Sequence, residues 1–224
     1  MEIKNNKRII IELSILFALF YLPGYLFQNS ISDPAIFNSP LFNFRLWTVY
    51  IPQISLILYL IHLDKQKNFE DFGIIKPKLT DIPYIAITIA ALILIIGVIL
   101  LLFTLFPFPF NPEEDFLWDF HNSGAIPFIL ITSILTGYSE EIFFRSYLFT
   151  RLEQLQFNRI QILFTINIIF SIGHFYEGIQ GGIIAFILGF FFSLVFIWKK
   201  NINIPAIVHA LYNFSVLMLC YFVS

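Results

Sequence analysis

Residues 82–106 read IPYIAITIAALILIIGVILLLFTLF, an unbroken stretch without a charged side chain. At 1.5 Å per residue a helix of this length reaches about 37 Å, more than the roughly 30 Å of hydrocarbon in a bilayer. In water such a helix would be apolar all round, with no polar face to turn outward. The stretch therefore predicts a transmembrane helix, and the rest of the chain shares its character. Hydrophobic residues make up 58% of the 224 residues and charged residues only 12%, with a mean hydropathy of +0.81. Since a soluble domain is about one quarter charged, a soluble fold is excluded.

Working outward, further apolar runs lie at 9–28, 44–63, 126–150, 159–176, 179–198 and 203–223. Together they predict an all-α, polytopic transmembrane bundle of about seven helices in a single domain spanning 1–224. Three nearly uniform spans fall within 1–112; the core at 124–224 carries polar groups in every span, and the last four helices are expected to form the site. No internal repeat is visible, so an inverted-repeat transporter gains no support. Lys4 to Arg8 before an apolar run resembles a signal peptide, but Glu12 interrupts the run and no small-residue cleavage site follows, so an uncleaved first span is expected.

Loop charge gives an orientation. With the N-terminus inside, the cytoplasmic segments hold Lys4, Lys7, Arg8, Lys65, Lys67, Lys76, Lys78, Arg145, Arg151, Arg159, Lys199 and Lys200, and only Arg45 falls outside. The external loop Pro107–Ser123 carries Glu113, Glu114, Asp115 and Asp119 with no basic residue, after three prolines that stiffen its start. The net charge of −2 offers no basic footprint for nucleic acid. A lone cysteine, Cys220, allows neither an intrachain disulfide nor a cysteine-based metal centre.

Ionisable side chains inside apolar runs are expensive, so each one asks for a reason. Glu140 and Glu141 sit within the run that begins near Ile126. Glu141 and Arg145 are four residues apart, stacked on one helix face in the favourable order for an ion pair. Glu140 points about 100° away and is left for another task. His174 stands near the end of the fifth run, and His209 and Asn213 share a face early in the seventh; His62 and His121, near membrane boundaries, read as structural. This set holds what peptide hydrolysis requires. Glu140 can take a proton from water, His174 can orient that water, and His209 with Asn213 can donate to the oxyanion. Glu140, His174 and His209 can alternatively ligate zinc, although no His-Glu-x-x-His motif is present. A non-catalytic scaffold or immunity protein, and a proton-coupled transporter, use the same residue types.

Three motifs occur in order: Glu-Glu-x-x-x-Arg at Glu140, Glu141 and Arg145, Phe-x-x-x-His at Phe170 and His174, and His-x-x-x-Asn at His209 and Asn213. In these the chain resembles the CAAX prenyl protease and bacteriocin-processing (Abi) family, also called type II CAAX endopeptidases. The likeness extends to a Phe-x-x-Gly-x-x-x-Gly stretch between the histidines, present as Phe186 and Gly189 with Ser193 at the second glycine position. The resemblance implies an intramembrane endopeptidase acting near the cytoplasmic face, with Glu140 and His174 activating water and His209 and Asn213 holding the oxyanion. It implies a membrane-associated protein or peptide substrate, lipidated in some members, and by family habit a bacterial plasma membrane; the sequence itself requires no cofactor, with a divalent metal such as zinc the alternative. Rise per residue alone places His174 and His209 at different depths, so tilted or interrupted helices are expected around Gly173, Gly178, Gly181 and Gly182.

Overall fold

A computed structural model of the protein describes residues 2–22, 37, 39–106 and 123–223; the acidic stretch 107–122, with His121, lies outside them, as does the side chain of Cys220. The described residues form helices and contain no strand. Seven helical segments follow in order: α1 (Glu2–Phe20), α2 (Pro40–His62), α3 (Ile82–Leu105), α4 (Ile126–Gln154), α5 (Arg159–Ile172), α6 (Gly178–Lys199) and α7 (Asn203–Val223). Four of them, α2, α3, α4 and α6, are long and apolar enough to cross a membrane unaided. The protein is an integral membrane protein.

Local chemistry sets several boundaries. Ser39 caps α2 by accepting a hydrogen bond from Phe42 N at 3.3 Å, with Pro40 in the first turn where its missing donor costs nothing. Asn158 and Gln161 form a reciprocal capping box at the start of α5. Lys200, at φ +47°, closes α6 in the left-handed region. The basic segment Lys4–Arg8 is the first part of α1 rather than a loop.

Two spans differ from expectation. The run 159–176 does not form one helix: α5 stops at Ile172 after 14 residues, a 3-10 turn spans Phe175–Glu177, and Gly178 at φ +82° launches α6. The interruption expected near the glycines is thus present, and it leaves α5 too short to span alone. The run 126–150 continues to Gln154, and its middle, Ile142–Leu148, is wound as a π-helix. Such turns arise where an extra residue is accommodated in the helical ladder, and they concentrate at functional sites.

α3 faces outward, with Ile93, Leu94 and Leu101 exposed, as a lipid-facing helix should be. The main core lies around the π-turn, where Phe143, Phe144, Tyr147 and Phe149 are buried with Phe72, Phe170 and Phe196. Phe72 belongs to the loop after α2, which is anchored from below: Ser146 donates to the Phe72 carbonyl at 2.6 Å and Asn203 to the Ile75 carbonyl at 2.8 Å. The contact between α4 and α7 decides the site. A Cβ on Gly137 would stand 2.8 Å from Ala210 N and 3.1 Å from Ala206 O, so only glycine lets the helices approach this closely. That approach brings the next turn of α4, Glu140 and Glu141, against His209.

Candidate active site

Glu141 is fully buried and its Oε1 lies 3.0 Å from Arg145 Nη1, the pair expected from their spacing. The same oxygen lies 2.9 Å from His209 Nδ1. A carboxylate has no proton to give here, so Nδ1 donates and the imidazole turns its Nε2 away from Glu141. That Nε2 stands 3.7 Å from Glu140 Oε2. An Arg145–Glu141–His209–Glu140 series thus connects α4 and α7, and the two adjacent glutamates stand at opposite ends of one imidazole, with only Glu141 at hydrogen-bond distance.

The walls of this series are aromatic. The His209 ring stacks on Phe192 with centroids 5.1 Å apart and 19° between planes, and meets Phe170 edge-on at 6.4 Å. The Arg145 guanidinium lies 4.4 Å from the Phe170 ring centroid and donates to the Gly189 carbonyl at 3.1 Å. Gly189 therefore does more than allow helix packing. A Cβ there would come 2.7 Å from Asn167 Oδ1 and 3.0 Å from Arg145 Nη2. Ser193, where the family motif has its second glycine, is fully buried and donates to the Gly189 carbonyl at 2.9 Å.

His174 sits in the break between α5 and α6. Its Nδ1 donates to the Phe170 carbonyl at 2.8 Å, and its ring lies 4.5 Å from the Phe170 ring. Phe170 thus touches both histidines and the arginine. Asn213, one turn after His209, is half-buried, and no hydrogen bond from its side chain to a described residue is seen. Glu140 Oε2 is buried with no hydrogen-bond partner among the described residues. Among those residues no group of three His, Cys, Asp or Glu side chains is placed to hold a metal ion.

Sequence reasoning missed several groups. Arg151, counted among loop charges, is only 3% exposed and pairs with Glu12 of α1 at 2.9 Å and with Asp64. Tyr147 also bonds Glu12. The link between Glu141 and His209 was equally invisible, because nothing local to either motif signals the other.

The fold and these side chains define a polytopic helical membrane protein with an acid–imidazole cluster in its C-terminal half. Residues 122–215 match the family model described as Type II CAAX prenyl endopeptidase Rce1-like, in agreement with the resemblance read from the motifs. It is a protease family, and all six residues singled out in the sequence fall inside the match. No curated protein and no solved structure matches the chain.

Proposed function

We propose that the protein is an intramembrane endopeptidase hydrolysing a peptide bond of a membrane-associated, lipid-modified substrate, with Glu140 as the general base. The observation that carries this reading is the imidazole of His209, fixed by Glu141 at 2.9 Å and aimed at Glu140 at 3.7 Å, within a segment of a protease family.

In this reading Glu140 takes a proton from a water whose orientation His174 assists, and the resulting hydroxide attacks the scissile carbonyl carbon. The carbonyl π electrons move onto oxygen, where Asn213 and His209, acting as an imidazolium with a proton on Nε2 as well as on Nδ1, donate to the oxyanion. Its collapse breaks the C–N bond, and the proton held by Glu140 passes to the leaving amine. Glu141 keeps His209 in one orientation, and Arg145 neutralises Glu141 within an apolar surround. The positive-inside distribution of Lys and Arg supports a cytoplasmic N-terminus and cleavage near the cytoplasmic face of a plasma membrane. No step requires a metal.

The test is reconstitution in proteoliposomes with an internally quenched, S-farnesylated peptide ending in Cys-aliphatic-aliphatic-X. Glu140→Ala and His174→Ala should each abolish release of the C-terminal tripeptide. If wild type and both variants cleave equally, Glu140 and His174 are not the groups that activate water; if none cleaves while biological activity survives both substitutions, the protein is a binding scaffold and not a peptidase.

A further inference from the structure

The loop between α2 and α3 precedes the family match, which begins at residue 122, and yet it folds into a shape of its own. Asn68 N donates to Asp71 Oδ2 at 2.7 Å and Asp71 N donates back to Asn68 Oδ1 at 3.0 Å, a reciprocal box that opens a single tight turn. Gly73, at φ +71°, closes it. The Gly73 N–H bonds to the Glu70 carbonyl at 2.8 Å and the Ile74 N–H to the Phe69 carbonyl at 2.9 Å, the paired pattern of a glycine-terminated helix end. A Cβ at position 73 would stand 2.5 Å from the Phe196 ring. The turn directs Phe72 into the core, where it is fully buried and stacks on Tyr147 with centroids 5.9 Å apart.

This turn is tied to both helices that meet at the site. On α4, Ser146 Oγ donates to the Phe72 carbonyl at 2.6 Å, one residue after Arg145 and within the π-wound stretch. Just before and at the start of α7, Ile202 N donates to the Gly73 carbonyl at 2.9 Å and Asn203 Nδ2 to the Ile75 carbonyl at 2.8 Å. Asn203, buried at 6% exposure, also meets α4 directly: its Oδ1 accepts from Tyr138 OH at 3.3 Å, three residues before Glu141. Helices in lipid gain little from apolar contact with one another, so their spacing rests on close packing and on polar ties. Between α4 and α7 the close packing is the glycine–alanine crossing at Gly137, and the polar ties include Tyr138–Asn203 and Glu141–His209.

We propose that the segment 68–75 is a strap that sets the spacing of α4 and α7, with Asn203 as its positioning residue: by holding the strap and Tyr138 together, Asn203 keeps Glu141 within reach of His209 and so fixes the imidazole for hydrolysis. The proposal rests on His209 acting in peptide hydrolysis. Asn203 stands six residues before His209, about 9 Å of helical rise, so it acts through the helix pair and not on substrate. The N-terminal half of the chain thereby contributes to the geometry of a site built from the C-terminal half.

Two measurements on the full-length protein in proteoliposomes test it. The first is solid-state NMR of protein labelled with nitrogen-15 in its histidines, with the His209 Nδ1–H signal assigned by its loss in His209→Gln. Asn203→Ala and Ser146→Ala cut the strap from different helices, and each should shift that signal as the bond to Glu141 lengthens. Asn158→Ala, which removes the cap at the far end of α5 from His174, lowers stability away from the strap and should leave the signal in place. The second is hydrolysis of the farnesylated peptide. Asn203→Ala should lower kcat by roughly 10-fold to 100-fold with KM unchanged, the cost of misplacing a reacting group by about 1 Å. An unmoved His209 signal in either strap variant, an equal shift in Asn158→Ala, or an unchanged kcat in Asn203→Ala overturns the proposal. Should Asn203→Ala fail to fold, Ser146→Ala, which loses one hydroxyl, decides by the same two readouts. If wild type cleaves no peptide, it is the peptidase reading that fails, while the His209 signal still reports whether the strap sets its place.

Discussion

Replacing Arg145 by methionine removes the guanidinium but nearly conserves its volume, and the structure gives the cost. Arg145 and Glu141 are both fully buried, at 0% exposure, with 3.0 Å between Nη1 and Oε1. Deleting one member of such a pair strands the other charge in a low-dielectric interior and costs about 3–5 kcal/mol. Loss of the donor to the Gly189 carbonyl and of the cation over Phe170 moves the expected value toward the upper end of that range. A second substitution separates charge from packing. In Glu141→Gln/Arg145→Met no charge is stranded, and the glutamine oxygen can still accept from His209 Nδ1, so the double variant should recover most of the loss. A coupling of about 2–3 kcal/mol between the two sites is expected. Unfolding in mixed micelles titrated with dodecyl sulfate, followed by tryptophan fluorescence, measures all four members of the cycle. Wild-type stability in Arg145→Met, or a double variant as unstable as the sum of the singles, would refute the reasoning.

Other expectations follow from the same geometry. Glu140→Gln should abolish peptide hydrolysis while leaving thermal stability close to wild type, because its Oε2 makes no hydrogen bond to a described residue and gives up only the 3.7 Å contact with His209 Nε2; a melting scan beside the cleavage assay checks this. Gly189→Ala should cost about 1–3 kcal/mol by overpacking against Asn167 and Arg145, and should lower activity by displacing the guanidinium that holds Glu141. Burial pushes the Asp64 carboxyl up, but the hydrogen bond from Arg151 and those from the Gln66 and Lys67 backbone outweigh it and hold Asp64 below its usual 3.8. Because the folded value lies below the unfolded one, the stabilisation is complete above the ordinary carboxylate range and is lost as pH falls through the depressed value. Acid titration of stability should therefore show a step below pH 3.8 that Asp64→Asn removes.

Much of the architecture was legible because the bilayer fixes element length and type. Runs such as 82–106 and 203–223 correspond within a residue to helices, since lipid leaves a lone apolar segment no other way to satisfy its backbone. The Glu141–Arg145 pair was equally readable, being set by the rise and turn of one helix. The end of α5 at Ile172 was less so, because Phe175 and Tyr176 prolong the apolar run past the point where the backbone breaks.

The sequence alone determined the class of protein, its number of helical segments, the residue set worth examining and the local ion pair, all of which depend on spacing within a single segment. Only the tertiary structure decided that Glu141 serves His209 as well as Arg145, that Gly137 and Gly189 are required by close approach, and that Glu12 of α1 and Tyr21, just past its end, reach α4. In a soluble helix an apolar stripe betrays the inward face. In a membrane the outward face is as apolar as the core, so orientation and partners separated by 68 or 135 residues emerge only once the helices pack.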